Sequence, residues 1–180
     1  MCGIVGFVND KDNKKTIINT MMDRIVHRGP NSSGEYIDKH VALGFRRLSI
    51  IDLEGGTQPI YNEDRTKIII FNGEIYNHQP LREELIAAGH VFQTHADTEV
   101  LLHGYEEWGT ELLQKIRGMF AFAIWDNEKN ELFGARDHFG IKPYYYAEMN
   151  GTFMFGSEIK SFLPHPDFNK ELNKEALKPY

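Results

Sequence analysis

The residue best suited to do chemistry is Cys2, the only cysteine among the 180 residues of the sequence. It follows the initiator methionine, which is usually removed before a small second residue, so Cys2 would then begin the mature chain. Such a residue carries a thiol with a free pKa of about 8.5 and an α-amine with a pKa of about 7.7–8.0. The amine can take the thiol proton through a water molecule, so one residue supplies both nucleophile and base. By position alone, a small buried hydrophobic side chain is an equally good interpretation.

A second candidate is the pair Asn72 and Gly73, which follows the apolar run 68–71. An Asn-Gly pair between apolar segments most often forms a tight hairpin turn, and this structural interpretation has the larger weight. In the functional interpretation, the Asn72 amide NH₂ and the Gly73 N–H point at one spot and form an oxyanion hole. Each donor in such a hole contributes roughly 100- to 1000-fold to the rate of acyl transfer. The two roles are compatible.

Two charged positions have the chemistry to bind a free α-amino acid. Arg46 and Arg47 end an apolar strand-like run; solvent exposure is the default there, but an arginine facing a cleft binds a carboxylate through two parallel hydrogen bonds. Asp97 precedes a helical segment, which predicts an N-cap, and the alternative is that it holds an ammonium group. Neither position is decisive by itself.

No spacing of residues indicates a metal or phosphate site, so no metal ligand is predicted. The eight histidines are dispersed, and His90 and His95 lie five apart, which is a poor spacing for one helix face. A glycine-rich phosphate-binding loop with its lysine is also missing from the sequence.

Composition and length restrict the class of protein. A net charge of −6 with scattered basic residues argues against a nucleic-acid partner. The absence of a long apolar run or a signal peptide argues against a membrane. One cysteine excludes an internal disulfide and fits a reducing compartment, so a cytoplasmic location is expected.

The remaining pattern predicts the elements that position these residues. Helices are expected at 14–26, 80–88 and 98–108, and strands at 3–8, 41–45, 67–71, 119–125, 131–136, 143–147 and 152–155. Turns are expected at 126–127 and 150–151. Strands joined by hairpins and flanked by two neighbouring helices favour an α+β fold of antiparallel sheets covered by helices.

Many ordered motifs of this sequence resemble class II glutamine amidotransferase domains, most closely the glutaminase domain of glutamine-hydrolysing asparagine synthetases. The resemblance runs from Cys2 to about Phe162, and the motifs that carry it are Cys2-Gly3-Ile4-Val5-Gly6, His27-Arg28-Gly29-Pro30, Arg47-Leu48-Ser49-Ile50, Asn72-Gly73-Glu74-Ile75-Tyr76-Asn77, Asp97-x-Glu99-Val100, Gly118-Met119-Phe120-Ala121-Phe122-Ala123, Ala135-Arg136-Asp137 with Gly140-Ile141-Lys142-Pro143, and Ser157-Glu158-Ile159-Lys160. It implies a four-layer αββα sandwich of antiparallel sheets, of the N-terminal-nucleophile hydrolase type.

The resemblance also implies a role for each site residue. Cys2 would attack the side-chain amide of glutamine, and Asn72 and Gly73 would form the oxyanion hole. Arg47 would bind the α-carboxylate, while Asp97, together with Glu74, would bind the α-ammonium. Backbone groups would shape the substrate pocket along Arg47, Leu48, Ser49, Ile50 and Ile51.

The partners follow from the same resemblance. The substrate would be L-glutamine, and residues 2–162 would form the glutaminase domain, with 163–180 as a linker or the start of a C-terminal synthetase domain. ATP and Mg²⁺ would be needed only by that further domain, which would use the ammonia to make asparagine from aspartate, and no cofactor is expected in this chain. Neither nucleic acid nor membrane is an expected partner, and a homodimer stays open. Two alternatives also stay open: the same glutaminase feeding a different amide-forming or cyclising synthetase, and a non-catalytic docking module.

Overall fold

A computed structural model describes residues 1–48, 57–171, 174 and 175. Its strands and helices, in chain order, are β1 (Gly3–Val8), α1 (Lys14–Asp23), β2 (Ser32–Ile37), β3 (Val41–Arg47), β4 (Ile60–Tyr61), β5 (Lys67–Ile75), α2 (His78–Ala88), α3 (Asp97–Trp108), α4 (Leu112–Lys115), β6 (Gly118–Asp126), β7 (Glu131–Arg136), β8 (Tyr145–Met149) and β9 (Thr152–Gly156). Short 3₁₀ turns lie at Gly109–Glu111 and Ile159–Ser161. Within the described ranges, no helix has the length and apolarity needed to cross a bilayer.

The strands form two antiparallel sheets. The first has the order β2-β3-β1-β9-β8, and the second has the order β4-β5-β6-β7. At the centre of the first sheet, Val5 of β1 lies opposite Gly44 of β3 on one side and Gly156 of β9 on the other. In the second sheet, β5 and β6 pair along their whole length, and Lys67 lies opposite Asp126 at one end of the pairing. The sequence-predicted antiparallel arrangement is therefore confirmed.

Alternation of side chains along the strands explains how the layers stack. On β1, Ile4 packs between the two sheets, whereas Val5 and Phe7 pack against α1. On β5, Ile68 packs between the sheets, whereas Ile69 packs against α2 and α3. Each fully buried side chain of this size contributes about 1.5–3 kcal/mol to stability. The result is the αββα sandwich that the resemblance implied.

Two local predictions about glycine-containing ends are confirmed. Helix α2 ends at Gly89, which has a φ of 107° and closes the helix in the left-handed conformation. The turn between β8 and β9 is formed by Asn150 and Gly151, with φ angles of 53° and 75°. Positive φ at both central residues is typical of a tight hairpin.

The chain beyond the predicted boundary at Phe162 continues to pack on the first sheet. His165 is buried and meets the ring of Phe7 edge-on, with the centroids 4.7 Å apart. Asp167 accepts a hydrogen bond from the Thr152 hydroxyl at 2.6 Å. Residues 163–168 are therefore attached to the sandwich, while the division into a glutaminase domain and a linker stays a prediction.

Candidate active site

Cys2 lies directly before β1, at one end of the layer between the two sheets. Its side chain is half-buried and packs against the apolar cluster of that layer. The Sγ atom lies 3.5 Å from the backbone nitrogen of Leu48 and 3.9 Å from its carbonyl oxygen. Met1 precedes it and is 58% exposed, so removal of Met1 leaves the core intact and places a free amine on Cys2.

Strand register separates the two neighbouring arginines. Gly3 pairs with Arg46 in the antiparallel ladder of β1 and β3. The residues next to this pair, Cys2 and Arg47, are therefore opposite each other, and both face the second sheet. Arg46 turns to the opposite face, where its Nη2 lies 2.6 Å from the carboxylate of Asp23. The structure therefore places Arg47, and not Arg46, on the face that carries Cys2.

Asn72 and Gly73 lie inside β5, and the prediction of a hairpin turn at this pair is wrong. Asn72 is opposite Ala121 and Gly73 is opposite Phe120 in the ladder with β6. The turn comes only after β5 ends, because pairing with β6 along the whole strand outweighs the local preference of the dipeptide. A side chain at position 73 would come within 3 Å of the backbone at Phe120 and of the Met119 oxygen. The glycine is therefore required by close packing of strands.

The side chain of Asn72 faces the layer between the sheets with an unused donor. It follows Ile68 and Ile70 on the same face of β5 and is only 3% exposed. Its Nδ2 has no hydrogen-bond acceptor in the part of the chain that the structure describes. Leaving a buried amide unpaired costs about 1–3 kcal/mol. An oxygen that gains negative charge during a reaction would be a well-matched partner.

The backbone of Gly73 offers a second donor at the edge of β5. The Tyr76 N–H bonds to the Arg117 oxygen on the β6 side, so in an antiparallel ladder the Gly73 N–H points away from β6. On that outer edge, the Phe71 N–H is taken by the Gln58 side chain and the Ile75 N–H by another side chain. The Gly73 N–H lies between these two groups on the same edge, and the described residues provide no acceptor for it.

Asp97 is the acceptor for the Ile75 N–H, at 2.8 Å. It is the first residue of α3, and Ala96 occupies the N-cap position, so the predicted N-cap role of Asp97 is wrong. Its carboxylate instead ties the helix to the end of β5. Burial raises the pKa of Asp97, while the Ile75 N–H and His78 oppose that rise. A cation next to this carboxylate would offset the burial.

Arg28 contacts Cys2, although sequence reasoning assigned it no role. Its Nε donates to the Cys2 carbonyl oxygen at 3.1 Å, and its Nη1 donates to Glu158 at 3.2 Å. The signal was present, because both Arg28 and Glu158 belong to motifs that carry the resemblance. The contact holds the backbone of Cys2 and thereby orients the residue.

The sequence-predicted site residues fall into three groups. Cys2 and Leu48 touch, and Arg47 and Asn72 face the same layer as Cys2. At the end of β5, Glu74 is exposed beside Gly73, close to the strand residue that Asp97 binds. The remaining predicted residues lie outside the described residues: Ser49, Ile50 and Ile51.

Comparisons with known proteins agree with this geometry. The model of the glutamine amidotransferase domain family matches residues 1–180. The chain is 51% identical to asparagine synthetase [glutamine-hydrolyzing] 1 of Bacillus subtilis, over 100% of its own length and 29% of that protein. It is 42% identical to asparagine synthetase B [glutamine-hydrolyzing] of Escherichia coli, over 91% of its own length and 30% of that protein.

Solved structures show the same fold at low identity. The glutamine phosphoribosylpyrophosphate amidotransferase of B. subtilis superimposes with a TM-score of 0.73 at 21% identity, over 89% of this chain and 43% of that one. A structure described as the allosteric regulatory enzyme of purine biosynthesis gives a TM-score of 0.78 at 21% identity, over 91% of this chain and 43% of that one. The family match over the whole chain and the relatives above 40% identity agree: this chain belongs to the glutamine amidotransferase domain family.

Proposed function

We propose that this chain hydrolyses L-glutamine to L-glutamate and ammonia through a glutamyl thioester on Cys2. The observation that carries the proposal is the unpaired, buried Nδ2 of Asn72, which faces the layer in which Cys2 lies. A thiol nucleophile and an unused hydrogen-bond donor in the same layer are the groups that acyl transfer requires. Family membership supports the same reaction.

The proposed reaction proceeds in two stages. With Met1 removed, the α-amine of Cys2 takes the thiol proton, and the sulfur attacks the side-chain amide carbon of glutamine. The amine returns the proton to the departing ammonia, and water then hydrolyses the thioester to glutamate. In both stages, the Asn72 Nδ2 and the Gly73 N–H donate to the negatively charged oxygen of the tetrahedral intermediate.

Substrate binding in this proposal uses charges of both signs. Arg47 binds the α-carboxylate from the face that it shares with Cys2. Asp97, together with Glu74, binds the α-ammonium. The raised pKa of Asp97, which burial causes, supports this role because an ammonium group would offset the burial of the carboxylate.

The destination of the ammonia is also part of the proposal. The chain spans about 30% of the length of the curated relatives that it matches, and these are glutamine-hydrolysing asparagine synthetases. We therefore expect ammonia to serve asparagine synthesis from aspartate in a C-terminal synthetase domain, where ATP and Mg²⁺ would be used. The need for a free thiol fits a reducing, cytoplasmic compartment.

The test is an assay of glutamate and ammonia release. Chain with Met1 removed, as verified by intact mass, should hydrolyse glutamine, and the variants Cys2→Ala and Cys2→Ser should fall to the background rate with an unchanged circular dichroism spectrum. A chain with one extra residue before Cys2 should also be inactive, because the amine then lies on the wrong residue. A Cys2→Ala variant that keeps its rate would contradict the proposal, and an inert chain with Met1 removed would favour the docking module.

A further inference from the structure

A second group of reactive side chains lies on the outer side of the second sheet, where α3 packs. Glu63 comes from the turn between β4 and β5, His90 follows α2, and His103 and Glu106 lie one turn apart on α3. One donor atom each from Glu63, His90 and His103 lie within 4.8 Å of one another. Glu106 Oε2 lies 2.8 Å from His103 Nδ1 and 3.9 Å from His90 Nδ1.

Hydrogen bonds orient the carboxylates of Glu63 and Glu106 toward His103. Glu63 accepts the Val91 N–H on Oε1 at 3.0 Å, and Glu106 accepts the Asn62 amide on Oε1 at 2.6 Å. Each carboxylate therefore presents its other oxygen to His103 Nδ1, at 3.8 Å from Glu63 and 2.8 Å from Glu106. The inward-facing atoms are thus held by contacts outside the cluster.

Both imidazoles have a carboxylate behind them. His103 Nε2 faces Glu99 Oε1 at 3.7 Å, and His90 Nε2 faces Glu107 Oε2 at 3.3 Å. In proteins, a histidine that binds a metal through one nitrogen usually presents the other to a carboxylate or carbonyl, which fixes the tautomer. His90 shows this arrangement through its hydrogen bond to Glu107, whereas His103 Nε2 faces Glu99 at 3.7 Å without a hydrogen bond.

We infer that Glu63, His90, His103 and Glu106 form a binding site for a zinc ion. Two imidazole nitrogens and two carboxylate oxygens are a donor set that zinc accepts, with bonds of about 2.0–2.1 Å in tetrahedral geometry. Such bonds separate neighbouring ligand atoms by roughly 3.3–3.5 Å. The separations of 2.8, 3.8 and 3.9 Å lie on both sides of that range, and the donor atoms of Glu63, His90 and His103 all lie within 4.8 Å of one another, so zinc binding would require these side chains to draw together.

The charge of the cluster favours a cation. Four carboxylates surround the two imidazoles, namely Glu63, Glu99, Glu106 and Glu107. Burial disfavours charge on His103, but its contacts with Glu106 and Glu99 outweigh burial and raise its pKa to about 9. Because a metal binds the neutral imidazole, a proton on His103 is the competitor of the zinc ion.

A zinc ion at this position would connect three segments of the chain. It would join the β4–β5 turn and the loop after α2 to α3, which begins at Asp97. Glu99 already holds part of that loop, because it accepts the backbone N–H groups of Gln93 and Thr94 at 2.6 and 2.8 Å. Zinc should therefore raise the melting temperature of the chain.

The experiment titrates chelator-treated chain with zinc chloride, in competition with a chromophoric chelator. It uses the Cys2→Ser background, so that the terminal thiol contributes nothing to zinc binding. We expect one equivalent to bind and to raise the melting temperature. His90→Ala and Glu63→Gln should each weaken binding by about 100-fold or more, because losing even a supporting partner costs about 10- to 100-fold. The exposed His95→Ala is the matched control and should bind as the parent does.

Cobalt provides a second readout that does not depend on stability. Co²⁺ bound at the site should give the strong visible absorption of tetrahedral coordination, and this absorption should be lost in His90→Ala. Zinc binding that is equally tight in His90→Ala, Glu63→Gln and His95→Ala would overturn the inference. No uptake by the parent chain would also overturn it, and the cluster would then be a network held by a proton on His103.

Discussion

The chain contains two Asn-Gly pairs that fold in different ways. Asn150 and Gly151 form the hairpin turn between β8 and β9, with positive φ at both residues. Asn72 and Gly73 lie within β5, where they are opposite Ala121 and Phe120 of β6. The same dipeptide therefore forms a turn where the flanking strands end, and strand where a long partner continues the pairing.

The two Asn-Gly pairs differ in whether their hydrogen-bond donors are already used. In the turn, the Asn150 amide is already used, since it donates to the Asp167 carbonyl oxygen at 3.0 Å. In β5, the Asn72 amide is buried with no acceptor among the described residues, and those residues provide no acceptor for the Gly73 N–H either. The strand holds two donors unused, which is the property of a site that awaits a ligand.

The largest expected difference between the two pairs is in activity. Asn72→Ala should lower kcat for glutamine hydrolysis by about 100- to 1000-fold, because it removes one donor to the oxyanion. Its melting temperature should stay the same or rise, since an unpaired buried amide is lost. Asn150→Ala should keep kcat and lose about 1–2 kcal/mol of stability, because alanine disfavours positive φ. Parallel kinetics and thermal melts measure both, and equal effects on kcat would refute the distinction.

The two glycines should differ in their effect on stability. Gly73→Ala should cost about 3 kcal/mol or more, because the new methyl group would collide with the backbone of β6 at Met119 and Phe120. Gly151→Ala should cost about 1–2 kcal/mol, since no atom lies within 4 Å of its Cβ position and only the φ of 75° is unfavourable. Urea unfolding of both variants measures the difference. If Gly73→Ala lost less unfolding free energy than Gly151→Ala, β5 and β6 would have to separate easily to admit the methyl group.

A smaller effect concerns Asp137, which supports the strand opposite Gly73. Its carboxylate accepts the N–H groups of Phe120 and Lys142 at 3.2 and 2.9 Å. Burial opposes ionisation, but these donors lower the pKa of Asp137 below its ordinary value. The unfolded chain therefore takes up this proton at a higher pH than the folded chain, and the contribution to stability is lost as the pH falls below about 4.

The variant that tests this role is Asp137→Asn, whose free energy of unfolding at pH 7 should be lower than that of the parent chain by about 2 kcal/mol. It should also lose less additional stability than the parent chain on acidification. The exposed Asp12→Asn is the control and should behave as the parent does. Urea unfolding at pH 7 and below pH 4 provides the measurement, and parallel pH curves for Asp137→Asn and the parent would contradict the expected role.

Sequence patterns predicted most of the elements but not every role. Strand β7 was predicted with its observed bounds, and the turn at 150–151 was correct, because alternation and turn chemistry are local signals. Strand β2 was missed, because its first residues Ser32 and Ser33 are polar and exposed at a sheet edge. The turn at Asn72 and the N-cap at Asp97 were predicted wrongly, since contacts with distant strands decided both.

The zinc cluster shows why some sites cannot be predicted from spacing. Its residues come from three segments, which β5, α2 and the loop before α3 separate, so no short motif joins Glu63 to His103. The sequence offered only the pair of His90 and His95, whereas the structure pairs His90 with His103, with their ring centroids 5.0 Å apart. Folding brings these donors together, and only the tertiary contacts reveal the cluster.

The most direct test of the central claim is covalent labelling with a diazo-ketone analogue of glutamine. Chain with Met1 removed should gain the mass of one analogue less dinitrogen, peptide mapping should place the adduct on the Cys2 sulfur, and excess glutamine should protect against it. Asn72→Ala should be labelled more slowly. A chain that begins at Cys2, folds correctly and stays unmodified, or one labelled at another residue, would contradict the account.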